Sequence, residues 1–463
     1  MTEIGIVADD VTGGTTVGAL FARIGCAPTL FYDYKRVASN ADPHDRAIIV
    51  SSNSRTSSPE EAFSRVREAT QSLKNLGVHQ FSKRIDTTLR GNIGAEIQGM
   101  LSVLSADHVA LVVPSMPQSK KILVGGYSLI DSSLLDDTAV AHDVRTPVTG
   151  SHVPTLLQAQ FDERVEHVSL AIIRDGARAI RAKLESLIED DCRVIVLDAV
   201  TLGQIDDIAE AAVALPQNVV AVDPGPFTLS LALHRGSVSK CAHLDQAVRE
   251  TCRPDDVGTV MVIAGSATSV TYHQMTRLLK EPGTVALLAE PLKLISSDSS
   301  IVESEMSKLV GQAREIFSGT RPRVAILAVS SAITGDVSCT HEELESASGM
   351  SANEASNLLT ERLGTLARRV CDVVGRDQIS GFYLTGGDTV VRVWESLGAN
   401  GIKLTDYVIP QVDQSEVIGG PYGGVPVVCK GGMTGTEVTA VQAINRLFDV
   451  NRMNKAMEME TTV

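Results

Sequence analysis

Two patterns alternate along this chain, and that alternation limits its folds more than anything else in the sequence. Short, unbroken apolar runs are separated by longer amphipathic stretches. The runs read as strands: Ile4 to Ala8, Ala47 to Val50, Val109 to Val113, Val194 to Leu197 and Val219 to Val222, then Val260 to Ile263, Val324 to Val329, Phe382 to Leu384 and Val425 to Val428. An apolar run without polar alternation has no face to give to water. It belongs in a sheet covered on both sides, which is how parallel strands are buried. The stretches between them, such as Val17 to Ile24, Pro59 to Leu76 and Glu354 to Val373, have the spacing of surface helices. The pattern predicts an α/β fold, with mainly parallel sheets flanked by helices and joined by right-handed crossovers.

At 463 residues the chain has room for more than one core. The charged stretch Ala242 to Asp256 contains Pro254 and precedes a fresh strand. It predicts a break, with domains at 1–245 and 246–463. Residues 451–463 read as a loose tail.

Composition excludes several classes. The net charge of -15 and the lack of a Lys/Arg run argue against a nucleic acid partner, whose phosphates need a concentrated basic surface. No stretch approaches the roughly 20 apolar residues of a membrane helix. Asp9-Asp10 interrupts the only N-terminal apolar run, so no signal peptide is expected. The 7 cysteines are scattered without a CxxC pair, the pattern of reduced thiols in a cytoplasmic protein. A homodimer is compatible with a chain of this size.

Against that acidic background, six segments carry chemistry. Asp9-Asp10-Val11-Thr12-Gly13-Gly14 follows the first strand and opens a helix. Ligands of open α/β sheets bind at that end. A carboxylate there can accept from a substrate hydroxyl or act as its base, while the plainer reading is a helix cap. Lys83-Arg84-Ile85-Asp86-Thr87-Thr88-Leu89-Arg90-Gly91-Asn92 mixes cations suited to a carboxylate with Asp and Asn suited to hydroxyls, and otherwise reads as a solvated loop. Val124 to Tyr127, Asp143 to Pro147 and Ser151 to Pro154 read as ordered loops, with His152 either a substrate contact or, preferred, a structural or supporting residue. Ala264 to Ser269 and Leu384 to Thr389 are strand-to-helix turns of small residues that expose backbone N–H groups to an anion. Finally, 6 glycines fall in Gly419 to Gly432, around Lys430, and the density favours a ligand loop over a hairpin turn. There is no GxxxxGK[ST] and no GxGxxG after a strand, so any nucleotide is held in another way.

Together these segments resemble the four-carbon acid sugar kinase family of threonate, erythronate and 3-oxo-tetronate kinases. The resemblance runs from Ile4 to about Gly435. It implies two α/β domains with the active site in the cleft between them, an N-terminal domain for the acid and a C-terminal domain for ATP with Mg2+. It implies transfer of the γ-phosphate to the terminal hydroxyl. It places Asp9, Asp10, Arg55, Lys83, Asp86, Arg90 and Asn92 on the substrate side, with Asp10 preferred as base over Asp9, and Lys83 and Arg90 on the substrate carboxylate. Ser266, Gly386, Gly387, Asp388, Thr389, Gly431 and Gly432 fall on the nucleotide side, with Lys430 as a phosphate clamp. No metal ligand is assigned. The chain departs from the family pattern at Gly14, Thr16, Gly431, Met433 and Thr434. The altered tail leaves open a non-catalytic sugar-acid sensor, and Asp9 with Lys83 leaves open an isomerase or aldolase.

Overall fold

A computed structural model describes residues 2–143, 146–161, 163–239, 258–265, 268–334 and 341–461. The chain divides into two compact units, Met1–His243 and Leu244–Val463. The charged stretch in which the sequence places the break lies outside the described residues.

The N-terminal unit contains β1 (Ile4–Ala8), β2 (Thr29–Phe31), β3 (Ala47–Ser51), β4 (Gln80–Arg84), β5 (His108–Val112), β6 (Lys121–Val124), β7 (Tyr127–Ile130), β8 (Ser133–Leu134), β9 (Val165–Val168), β10 (Val194–Leu197) and β11 (Asn218–Asp223). Its parallel sheet runs β2-β3-β1-β4-β11-β5-β10-β9, and β6, β7 and β8 form a separate antiparallel sheet. Successive side chains of a strand point to opposite faces. Ala110, Val112, Val194 and Val196 accordingly enter one apolar core, while Val109, Leu111, Ile195 and Leu197 enter another. Helices cover both faces, which is why these runs carry no polar alternation. The helix Pro59–Asn75 shows the local logic. Ser58 caps it, Pro59 opens it, and Ala62, Val66, Ala69 and Leu73 line its buried stripe.

The C-terminal unit contains β12 (Thr259–Ala264), β13 (Thr284–Ala289), β14 (Val324–Val329), β15 (Ile379–Thr385), β16 (Gly401–Ile409), β17 (Val412–Ile418) and β18 (Pro426–Lys430). The order is β13-β14-β12-β15-β18-β17-β16. The first five strands are parallel, and β17 runs antiparallel to both β18 and β16. Ser351 and Glu354 close a capping box on the helix Ala352–Val374.

Two expectations need correction here. Gly419, Gly420, Gly423 and Gly424 are not a ligand loop continuous with Lys430. They form the turn between β17 and β18, at the opposite end of β18 from the lysine, and three of them have positive φ. The supposed tail is helical through residue 461, within the helix Thr439–Thr461, and the Asn451 side chain donates to the Ser380 carbonyl at 2.7 Å. Among the described residues no helix is long and apolar enough to cross a membrane.

Leu111 is fully buried in the N-terminal unit. Leu111→Ala is expected to destabilise that unit by about 2–5 kcal/mol, read as a shift of its urea midpoint with an unchanged slope.

Candidate active site

In-register parallel pairing brings the acidic pair and the cationic segment together. Ala8 lies beside Ser51 of β3 and Arg84 of β4, and Arg84 lies beside Asp223 of β11. The segments that leave these strand ends, at 9–10, 52–58 and 85–92, therefore emerge side by side.

Asp9 is buried, with its side chain 2% exposed, whereas that of Asp10 is 21% exposed. Asp10 does cap the helix Val11–Ala22, accepting from the Gly13 N–H at 2.6 Å. Its other oxygen accepts from Arg55 Nη1 at 2.6 Å, so capping and charge pairing coexist. Arg55 spans the cluster. Its Nε donates to Asp9 Oδ2 at 2.7 Å, and its Nη2 lies 3.7 Å from Asp86 Oδ1. Arg84 Nη1 reaches Asp9 Oδ1 at 3.1 Å and Asp10 Oδ1 at 3.6 Å. Gly13 makes room for this guanidinium: a Cβ there would fall 1.8 Å from Arg84 Nη1.

The two carboxylates are shifted in opposite directions. Burial pushes Asp9 upward, but Arg55, Arg84 and Lys83 outweigh it and hold the group below its ordinary value. Burial raises Asp10 despite Arg55, and the charge of Asp9 adds to the rise. Neighbouring carboxylates with proton affinities pushed apart can divide acid–base and electrostatic roles.

Asp86 is buried as well, yet Arg55 and Arg90 hold it well below the usual carboxylate range. Arg90 Nε donates to Asp86 at 2.7 Å, and its Nη1 reaches Asp143 at 3.3 Å. The backbone between them turns sharply, with Leu89 at φ 58° and Gly91 at φ 98°. Asn92 donates to the Ser57 carbonyl at 2.7 Å. It also lines a cavity of about 310 Å3 with Thr56, Ser57, Gly91, Thr149 and Gln160 on its polar side and Leu89, Ile93 and Val153 on its apolar side. Arg145, from the same motif region, lies outside the described residues.

Lys83 is placed differently from its neighbours. It is fully buried, its ammonium 2.8 Å from Glu96 Oε2 and 2.8 Å from the Arg84 carbonyl. Ser54 donates to the other oxygen of Glu96, and the Ser54 N–H donates to the Asp9 carbonyl at 2.9 Å. Lys83 thus supports the segment that carries Arg55 and does not present its charge to a ligand. Sequence reasoning missed Glu96, whose only signal was an acidic residue on an otherwise apolar helix, Ile93–Leu101. It also missed Lys121 of β6, whose Nζ donates to Thr87 Oγ1 at 2.5 Å. Burial draws Lys121 down to about 8. Gly125 and Gly126 make the turn between β6 and β7, and both N–H groups are held by Asp198. His152 bonds to Thr155 at 2.7 Å and packs on Tyr127.

The C-terminal unit repeats the principle with other residues. Ala264, Thr385 and Lys430 are register partners at the carboxyl ends of β12, β15 and β18. Thr268 and Thr271, beyond β12, reach the Gly432 carbonyl of the turn after β18. Gly386, at φ 102°, is the N-cap of the helix Gly387–Leu397. A glycine cap has no side chain to close the first turn, so its N–H groups can receive an anion. Asp388 and Thr389 lie in that turn. Lys430 is buried, donating to the carbonyls of Gly431 at 2.9 Å and Gly432 at 3.3 Å. Burial draws it down to about 8. Thr268 and Thr271 also donate to Gly432, at 2.8 and 3.1 Å. Ser266 lies outside the described residues. Among the described residues there is no cluster of three or more His, Cys, Asp or Glu able to cage a metal.

Residues 4–231 match the family model described as Sugar-binding N-terminal domain, and residues 261–440 match Nucleotide-binding C-terminal domain. The chain is 31% identical over 448 residues to D-erythronate kinase of Heliobacterium modesticaldum, covering 97% of this chain and 98% of that one. It is 28% identical over 447 residues to D-threonate kinase of Bordetella bronchiseptica, covering 95% and 97%. It is 25% identical over 414 residues to 3-oxo-tetronate kinase of Cupriavidus necator, covering 88% and 89%. A crystal structure from Salmonella typhimurium LT2 has the same fold, with a TM-score of 0.74 at 21% identity over 96% of this chain and 99% of that one.

Removing one partner of a buried ion pair leaves the other charge uncompensated. Glu96→Gln is therefore expected to cost about 3–5 kcal/mol in urea unfolding, and a Lys83→Met/Glu96→Leu double variant is expected to recover much of the loss.

Proposed function

Because the chain belongs to the four-carbon acid sugar kinase family, we propose that it transfers the γ-phosphate of ATP to the terminal hydroxyl of a four-carbon sugar acid. The observation that carries the reading is the Asp9–Asp10 pair at the end of β1, two adjacent carboxylates that Arg55 and Arg84 hold with opposite shifts. In the transfer, the hydroxyl oxygen attacks the γ-phosphorus. The bond from that phosphorus to the β–γ bridging oxygen breaks, ADP leaves, and the hydroxyl proton passes to a base. Such catalysis rests on positioning and charge stabilisation.

Asp10 is the base in this reading. It is the more exposed of the pair, and its raised proton affinity suits it to accept a proton. Asp9 stays ionised and fixes the two guanidinium groups. Arg90 and Asn92 face the acid, with Asp86 holding Arg90 in place. Lys83 supports Arg55 from below through Glu96 and Ser54. On the nucleotide side, the N–H groups after Gly386 and the ammonium of Lys430 receive phosphate oxygens, and Gly431 and Gly432 let the backbone come close. Mg2+ fits as a companion of the phosphates, since it is commonly held by one or two carboxylates plus phosphate oxygens. Asp388 is the carboxylate that the glycine turn offers, and the ion would neutralise phosphate charge. The tail that departs from the family pattern keeps Lys430 and is pinned by Thr268, Thr271 and Gln274. It gives no ground for preferring a sensor. D-erythronate is the first acid to test, being the substrate in the name of the relative at 31% identity.

Coupled ADP release with Mg2+-ATP is expected to depend on one four-carbon acid in a panel of erythronates, threonates and oxo-tetronates. Asp10→Asn is expected to lower kcat by roughly 10²–10⁴ with little change in the acid's KM, and the wild-type acid limb is expected above the ordinary Asp value of 3.8. Full turnover by Asp10→Asn would remove the base assignment. Lys430→Met is expected to raise the KM for ATP at least tenfold. In the wild type that KM is expected to climb as pH passes about 8, where the free lysine loses its charge; a flat profile and an unchanged KM would rule out the clamp.

A further inference from the structure

Among the described residues, five cations gather around the acid site, and four already grip carboxylates. Arg55 holds Asp9 and Asp10 and lies near Asp86; Arg84 holds Asp9; Arg90 holds Asp86 and Asp143; Lys83 holds Glu96. An arriving substrate carboxylate would have to compete with an internal partner at each of these. Lys121 differs. Its Nζ donates to the neutral hydroxyl of Thr87, and it forms no ion pair with any described carboxylate. Its position is also fixed. The preceding residue, Lys120, takes a left-handed φ of 56°, and the Lys121 backbone bridges to Met116 in both directions, at 2.8 and 3.3 Å. A half-buried ammonium with a hydroxyl for a partner gains more from a carboxylate than a cation already paired.

We infer that Lys121 receives the carboxylate of the sugar acid, with Thr87 holding the ammonium until the acid arrives. This deepens the kinase reading and rests on it. It shifts the carboxylate contact from Lys83, which is enclosed, to a cation on the small antiparallel sheet. The charged groups around Lys121 are Asp86, Arg84 and Arg90. Burial and the two arginines lower its proton affinity, Asp86 opposes them, and the free lysine loses its proton near pH 8.

The test compares the four-carbon acid with erythritol, the polyol in which a hydroxymethyl group replaces the carboxylate, at saturating ATP. In the wild type the acid is expected to be strongly preferred. Lys121→Met is expected to raise the acid's KM by roughly 10- to 100-fold, to leave the KM for ATP and the binding of erythritol as competitor unchanged, and so to erase the preference. Lys121→Arg is expected to restore most of it. The wild-type KM for the acid, but not the inhibition constant of erythritol, is expected to rise above about pH 8. That arm needs no variant and so stands even where Lys121→Met does not fold. Wild-type turnover with an unchanged acid preference in Lys121→Met, or an acid KM flat to pH 10, would overturn the inference while leaving the kinase reading intact. No acid-dependent ADP release by the wild type would overturn the kinase reading itself.

Discussion

Three carboxylates crowd the strand ends of the N-terminal unit, and one guanidinium reaches all three. Asp9, Asp10 and Asp86 arrive on two separate segments, and Arg55 arrives on a third. Without that fork, each of the three would lose the strongest charge that opposes its burial, and its hold on a proton would rise. With it, Asp9 and Asp86 stay ionised, and only Asp10 is left with an increased hold on a proton. The planar, five-donor geometry of arginine suits this bridging, and a lysine could not do it. The buried Lys83–Glu96 pair belongs to the same device, because Ser54 links it to the segment that carries Arg55.

In the proposed reading, the two units would answer an anion in different ways. The N-terminal unit uses side-chain charge on parallel strand ends. The C-terminal unit uses mostly backbone: a glycine cap on a helix, glycines after Lys430, and threonines that pin the Gly432 carbonyl. The contrast follows from the ligands proposed for them. A small acid with several hydroxyls needs directional side chains on every side. A polyphosphate presents many equivalent oxygens, which rows of N–H groups can meet.

Much of this was legible in the sequence where burial is two-sided. The apolar runs at Ile4, Val194 and Val324 became strands with the expected limits, because nothing but a covered sheet suits them. Legibility failed where a strand carries chemistry. Gln80–Arg84 reads Gln-Phe-Ser-Lys-Arg and looks like a loop, yet it is a central strand whose Lys83 and Arg84 pair with Glu96 and Asp9. The same holds for β16 and β17, whose mixed faces gave no clean period. The segments that carry Asp9, Asp10, Asp86 and Arg90 were legible from composition and order, and the structure brings them together. The enclosure of Lys83 was not, because its partner lies 13 residues further along on another element. Lys121 gave no motif signal either, since its partner Thr87 lies 34 residues earlier in the chain. At Gly419 to Gly432, glycine density misled because two turns at opposite ends of one short strand are adjacent in sequence.

The reach of Arg55 also bears on how such a protein can diverge. Because one side chain ties the segments at 9–10, 52–58 and 85–92 together, a change in any of them disturbs the other two. The wall formed by Thr149, Val153 and Gln160 carries no part of that fork, although it borders the cavity that Asn92 lines. A lineage that adopts a new acid can rework that wall residue by residue, while the charged centre is inherited whole.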